Sequence, residues 1–143
     1  MRIALDLAWA AGFFDGEGWV GAIKKTHAKN RTAGVGLSIS IAQTDPEVLE
    51  KFAKVAGFGN LRGPYNPKTA NSNPYWVWRS EQREEIRDLF KELRPYLSSV
   101  KCQQFERALV IVDEYRAGAH DRHVAAGKVA AGVRWDRVDT RCE

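Results

Sequence analysis

Asp15 and Glu17 stand two residues apart in the run Ala10-Ala11-Gly12-Phe13-Phe14-Asp15-Gly16-Glu17-Gly18, each carboxylate beside a glycine. Carboxylate oxygens are hard donors that suit divalent cations such as Mg2+, which bind oxygen and retain water. On the N-terminal side, Ala8, Ala11 and Gly12 carry no side chain beyond Cβ. A helix presenting them on one side lets a second helix approach backbone to backbone. Two such helices about a twofold axis bring two Glu17 carboxylates close together, which is unfavourable unless a cation shares them. These residue types therefore predict a dimer contact through Ala8, Ala11, Gly12 and Asp15, and a metal site at Glu17 on a tight turn just past the helix end.

The elements that must hold these groups follow from capping and periodicity. Asp6 reads as the N-cap of the first helix, which carries Leu7, Trp9, Phe13 and Phe14. After Gly18 the pattern turns extended through Trp19, Val20, Ala22 and Ile23. It resumes after a polar segment from Thr26 to Thr32, where Val35, Leu37, Ile39 and Ile41 alternate with Gly36, Ser38 and Ser40. Asp45-Pro46-Glu47 marks a helix start and Gly57 its stop. Two short strands are predicted near Phe58 to Pro64 and Tyr75 to Arg79, joined by a connection rich in turn formers. Ser80 is read as the cap of a third helix with Ile86, Leu89, Phe90 and Leu93, ending before Pro95. Ser98 or Ser99 caps a fourth, with Phe105, Leu109 and Val112, fading at Gly118. The predicted order is α-β-β-α-β-β-α-α. Trp9, Trp76, Trp78 and Trp19 are read as packing between helices and sheet.

The 143 residues, 44% of them apolar, suffice for one core and not for two copies of a domain. Net charge is only +4, but it is unevenly placed. Gly18 to Thr44 holds Lys24, Lys25, Lys29 and Arg31, and Gly57 to Ser80 holds Arg62, Lys68 and Arg79, with no acid in either stretch. Cys102 and Cys142 form no metal-binding or disulfide pattern. Absence of a membrane-length apolar run or signal-peptide layout points to an intracellular location, cytoplasm or nucleoid. His120-Asp121-Arg122-His123 resembles a metal site only superficially. Residues 119–143 read as a loosely ordered C-terminal extension to a domain at 1–118.

The nine residues Ala10 to Gly18 closely resemble the LAGLIDADG motif of homing endonucleases and intron maturases. The resemblance extends over roughly Met1 to Gly118. It implies an α+β fold, αββαββα, with a four-stranded antiparallel DNA-binding saddle and helices on one face. It also implies a homodimer, since a single motif helix supplies half of a two-sided site. The activity implied is divalent-metal hydrolysis of phosphodiesters in both strands of a long, nearly palindromic double-stranded DNA target. Mg2+ is the expected cation, with Mn2+ or Ca2+ able to occupy the same sites. By the match, Glu17 and the Gly16 carbonyl are metal ligands, and Asp15 is a structural residue. Gln43 falls where relatives place a residue that orients the attacking water, and Lys101 where a basic residue steadies the scissile phosphate. Glu47 departs from the pattern, standing near the place of a second active-site arginine in some relatives.

Alternation assigns the DNA-facing side of the saddle. Gly36, Ser38 and Ser40 lie there on one strand, and Gly21, Ile23 and Lys25 on its neighbour, with His27, Lys29 and Arg31 toward the tip. Asn60, Arg62, Lys68, Tyr75, Val77 and Arg79 complete the set. Arg62 and Arg79 suit guanine, whose two major-groove acceptors match a guanidinium, while lysines suit phosphates. An RNA-splicing maturase and a catalytically inactive DNA-binding protein share this scaffold and are the alternative functions.

Overall fold

The computed structural model describes residues 2–26 and 33–118. In chain order the elements are α1 (Ala4–Glu17), β1 (Gly18–Thr26), β2 (Ala33–Gln43), α2 (Pro46–Ala56), β3 (Asn60–Tyr65), β4 (Tyr75–Ser80), α3 (Arg83–Leu93), a 3-10 turn (Arg94–Tyr96) and α4 (Ser99–Ala117). The four strands form one antiparallel sheet in the order β1-β2-β4-β3. Two hairpins thus meet along β2 and β4, with Ile41 opposite Trp78 and Ser40 opposite Arg79.

One face of the sheet is covered by helices. Val20 and Ala22 of β1, Leu37, Ile39 and Ile41 of β2, and Trp78 of β4 are buried there. Alternation places them on a common side, as a pleated strand requires. Aromatic rings tie the layer together: Phe105 stacks on Phe90 at 4.6 Å and meets Phe14 at 5.3 Å. Phe14 packs on Phe52, and Phe52 meets Trp78 edge-on at 4.9 Å. Each such ring stabilises the fold by roughly 1.5–3 kcal/mol through burial. Phe14 stands in the middle of this line, so the motif helix is anchored in the core by the residue just ahead of its acids.

Local chemistry sets the element ends. Asp45 caps α2, its carboxylate accepting from Glu47 N at 2.9 Å, and Gly57 ends that helix at φ 77°, a conformation that favours glycine. Ser98 caps α4 by accepting from Lys101 N. Two predicted caps are displaced. Ile3, not Asp6, precedes α1, and Asp6 lies in the first turn where an acid suits the helix dipole. Ser80 ends β4 and Gln82 precedes α3, although the Ser80 hydroxyl still accepts from Gln82 N. Pro95 lies within the 3-10 turn that follows α3. The largest correction is at the motif. Glu17 is the last residue of α1 and Gly18 the first of β1, with no intervening turn. Gly18 has ordinary extended dihedrals; it is small because a Cβ there would lie 2.2 Å from the Phe14 ring. The 119–143 extension and His120-Asp121-Arg122-His123 lie outside the described residues.

Candidate active site and nucleic-acid interface

The acids at the end of α1 meet different surroundings. Asp15 accepts hydrogen bonds from Ser98 N, at 3.0 and 3.1 Å to its two oxygens, and from the Ser98 hydroxyl at 2.9 Å. It thereby sits at the N-terminal, positive end of α4, which favours a carboxylate. Glu17 points away from the core and is exposed. It occupies the negative end of α1, whose last turn contains no basic residue. A carboxylate at a helix C-terminus is electrostatically unfavourable, and the last carbonyls there lack helical partners. Oxygen donors of this kind, at the negative end of a helix, fit a hard divalent cation at Glu17 and the exposed Gly16. Among the described residues, no cluster of three or more His, Cys, Asp and Glu side chains gathers within one chain.

Lys101 approaches the same place from α4. Its ammonium donates to Gly18 O at 2.7 Å and lies 5.4 Å from the centre of the Phe14 ring. Burial pushes it below the usual lysine range, an effect the Asp15 carboxylate opposes. Gln43, half-buried, ends β2. Because Gly18 pairs with Ile41, the β1–β2 register brings this strand end alongside the end of α1. Glu17, Gly16, Gln43 and Lys101 thus belong to one end of the molecule. Glu47 is exposed in the first turn of α2.

The four predicted contact residues of α1 divide between its two sides. Ala8 and Gly12 are exposed, and a Cβ at Gly12 or Gly16 meets nothing within 4 Å. Leu5 is 80% exposed on the same stripe, since positions 5, 8, 12 and 16 recur at helical spacing. Ala11, by contrast, is fully buried in the chain's own core, and Asp15 is engaged by Ser98. The bare stripe is therefore Leu5, Ala8, Gly12 and Gly16, and Ala11, one turn on from Ala8, lies on the flank that turns into the core.

The outer face of the sheet gathers the side chains that alternation assigned to it. Register places Gly21 opposite Ser38, Ile23 opposite Gly36, Ser40 opposite Arg79, and Asn60 and Arg62 opposite Arg79 and Val77. Tyr75 continues the face on β4, where its ring packs against Tyr65 at 5.6 Å. Lys68 is exposed in the connection between β3 and β4. His27, Lys29 and Arg31 lie outside the described residues.

Two members of this face escaped the sequence reading. Trp19 was assigned to the helix–sheet interior, but parity with Gly21 puts it outside. It is 41% exposed, and its ring covers Gly21, where a Cβ would lie 2.5 Å from it. The signal was available in the alternation with the buried Val20. Glu81 immediately follows β4, one residue past the acid-free stretch, and contacts Lys25 and Arg79. Of the other tryptophans read as interior, Trp78 is buried and Trp76 packs at the core edge. Trp9 stacks on Phe13 at 5.5 Å beneath the Lys51 ammonium. No helix among the described residues is long and apolar enough to cross a membrane.

A sequence model of the family described as LAGLIDADG endonuclease matches residues 10–111. The chain belongs to that family. No curated protein sequence matches it. Among solved structures, the fold is similar to an archaeal intron-encoded homing endonuclease, I-Vdi141I, complexed with DNA, at 20% identity and TM-score 0.69 over 94% of this chain and 84% of that one. It is also similar to I-CvuI, crystallised with the I-CreI target in 2 mM Mg with its DNA not cleaved, at 22% identity and TM-score 0.67 over 89% of this chain and 81% of that one. A third similarity, to I-SmaMI, gives 16% identity and TM-score 0.67 over 92% of this chain and 44% of that chain.

Proposed function

We propose that the protein is a divalent-metal-dependent endonuclease that cuts both strands of a long, pseudo-palindromic double-stranded DNA site as a homodimer. The observation that carries this reading is the two-sided character of α1. Its core side buries Ala10, Ala11 and Phe14, while Leu5, Ala8, Gly12 and Gly16 form a bare stripe that runs to the exposed Glu17. A second copy laid along that stripe covers the apolar surface and completes a pair of carboxylates.

Glu17 and the Gly16 carbonyl are the groups that would hold Mg2+, or Mn2+ or Ca2+. When bound, such a cation polarises a phosphodiester and lowers the pKa of water. The chain supplies the remainder. Lys101, fixed by Gly18 O, presents a positive charge where negative charge grows on the scissile phosphate, and Gln43 offers an amide to orient water. The outer face, with Lys25, Asn60, Arg62 and Arg79, lies along the major groove. Glu17→Gln removes the anionic donor without altering an exposed helix end. It abolishes cutting, by about 1000-fold or more on the scale of lost charge stabilisation, while duplex binding persists. Unchanged cutting by this variant, measured on a plasmid carrying the selected target, would overturn the assignment.

A further inference from the structure

Glu81 lies where it can control the outer face. It follows Ser80, the partner of Ile39, so continuing the β2–β4 register sets it beside Ser38. One carboxylate oxygen accepts from Arg79 Nη2 at 2.7 Å, and the other takes Lys25 Nζ at 3.2 Å. These two cations come from β4 and from β1, with β2 between them. Lys25 reaches Glu81 by lying across β2 above Gly36, where a Cβ would stand 2.2 Å from its Cε. Glycine at 36 thus opens the passage for the side chain. Ser38, which this register sets beside Glu81 and opposite Gly21, is buried, and its hydroxyl has no hydrogen-bond partner.

We propose that Glu81 is a selectivity residue: a latch that withholds Lys25 and Arg79 from non-specific phosphates and releases them where a matching duplex engages the face. The inference rests on the DNA-binding reading of the sheet. Non-specific affinity comes almost wholly from cations that neutralise phosphates, each steepening the fall of log K with log salt by about 0.9. Cations already paired to a carboxylate on the same face contribute less to that gain.

The test uses the full chain without divalent ions and a random-sequence 30-base-pair duplex, with binding followed by anisotropy over a salt series. Glu81→Gln is expected to tighten this binding roughly 10-fold at low salt and to steepen the salt slope by about 1–2, as one or both cations become available. Glu81→Asp, which keeps the charge, retains a slope closer to wild type. Adding Lys25→Met and Arg79→Met to Glu81→Gln must remove the gain. Wild-type affinity and slope in Glu81→Gln would overturn the latch, as would a gain that survives the double replacement, because Glu81 would then act only as a repulsive charge. Failure of wild type to bind any duplex would overturn the DNA-binding reading and the latch with it, whereas binding with an inert Glu81 overturns the latch alone. Thermal melting of each variant verifies that the fold is retained.

Discussion

Helices α1 and α3 cover the same side of the sheet, yet their outer sides are built differently. In α3, Ile86, Leu89, Phe90 and Leu93 are buried, while Arg83, Glu84, Glu85, Arg87, Asp88, Lys91 and Glu92 take the remaining positions. That is the layout of a helix with one apolar stripe and a solvated back. In α1 the side turned from the core carries Leu5, Ala8, Gly12 and Gly16, none of them charged. A helix apolar on both sides belongs inside something. The difference bears on the proposed function: α3 has a solvated back, whereas α1 offers a bare outer side to the proposed second copy and ends at the proposed metal ligand Glu17.

The sharpest way to break this contrast is to add bulk to the bare stripe. Gly12→Leu meets open space within one chain and raises helix propensity by several tenths of a kcal/mol. The separate chain is therefore expected to be at least as stable, while two helices in backbone contact are forced apart. An overpacking cost of about 1–3 kcal/mol per protomer corresponds to a dimer weakened on the order of 100-fold or more. Sedimentation over a concentration series should show monomers, and double-strand cutting should fall in parallel. Asp88→Leu on the outer side of α3 supplies the control, with assembly unchanged. Equal behaviour of the two variants would erase the distinction between the helices.

How far the sequence exposed this division depends on the kind of signal. Strand alternation between Val35 and Ile41 and the cap at Asp45 are local, and both match the structure in position and purpose. The direction of Ala11 was not legible, because alanine at 8, 11 and glycine at 12 span more than one side of a helix. Only the packing of Phe14 against Phe52 and Phe105 fixes which side is inward. Asp15 likewise declares its partner only through a contact 83 residues distant, at Ser98. The family resemblance named Gln43 and Lys101, and the fold brings the elements carrying them to the end of α1. Glu81 had no motif to mark it; its meaning lies in reaching two strands at once.

A smaller effect is expected where α4 meets the motif end. Lys101→Met removes the cation held by Gly18 O and should slow cutting by about 100-fold, with little change in duplex binding. Acidity gives a second measurement. An ordinary lysine titrates near pH 10.4, and burial lowers Lys101 from the usual range. If Lys101 supports the phosphate in its protonated form, as proposed, wild-type cutting should decline at a pH below that of an exposed lysine. Lys101→Arg, charged throughout that range, should remove this alkaline decline while retaining part of the rate. Single-turnover cleavage between about pH 7 and 10 would show the displacement, and an identical alkaline limb in the arginine variant would separate Lys101 from it.

The smallest effect concerns how α3 is joined to α4, on the side of the comparison with no proposed chemistry. Asp113 of α4 accepts from Arg87 at 2.9 Å with both oxygens and is also hydrogen-bonded by Arg83. The Arg83 hydrogen bond is foremost in holding its carboxyl below the usual aspartate range. Asp113 is 44% exposed and the arginines are partly so, which leaves the pairing screened by water. Asp113→Asn is therefore expected to lose only about 0.5–1 kcal/mol near neutral pH. A carboxyl depressed in the folded state stabilises above its unfolded pKa, about 3.9, and loses that contribution as pH falls through the lower folded value. The wild type and the variant should thus differ in urea midpoint at pH 7 and converge as pH falls below the depressed folded pKa of Asp113. A difference undiminished at low pH would assign the loss to packing at the α3–α4 contact. Cutting activity should stay within about twofold under conditions where both remain folded, because this joint secures a helix whose outer side faces solvent and leaves the stripe on α1 untouched.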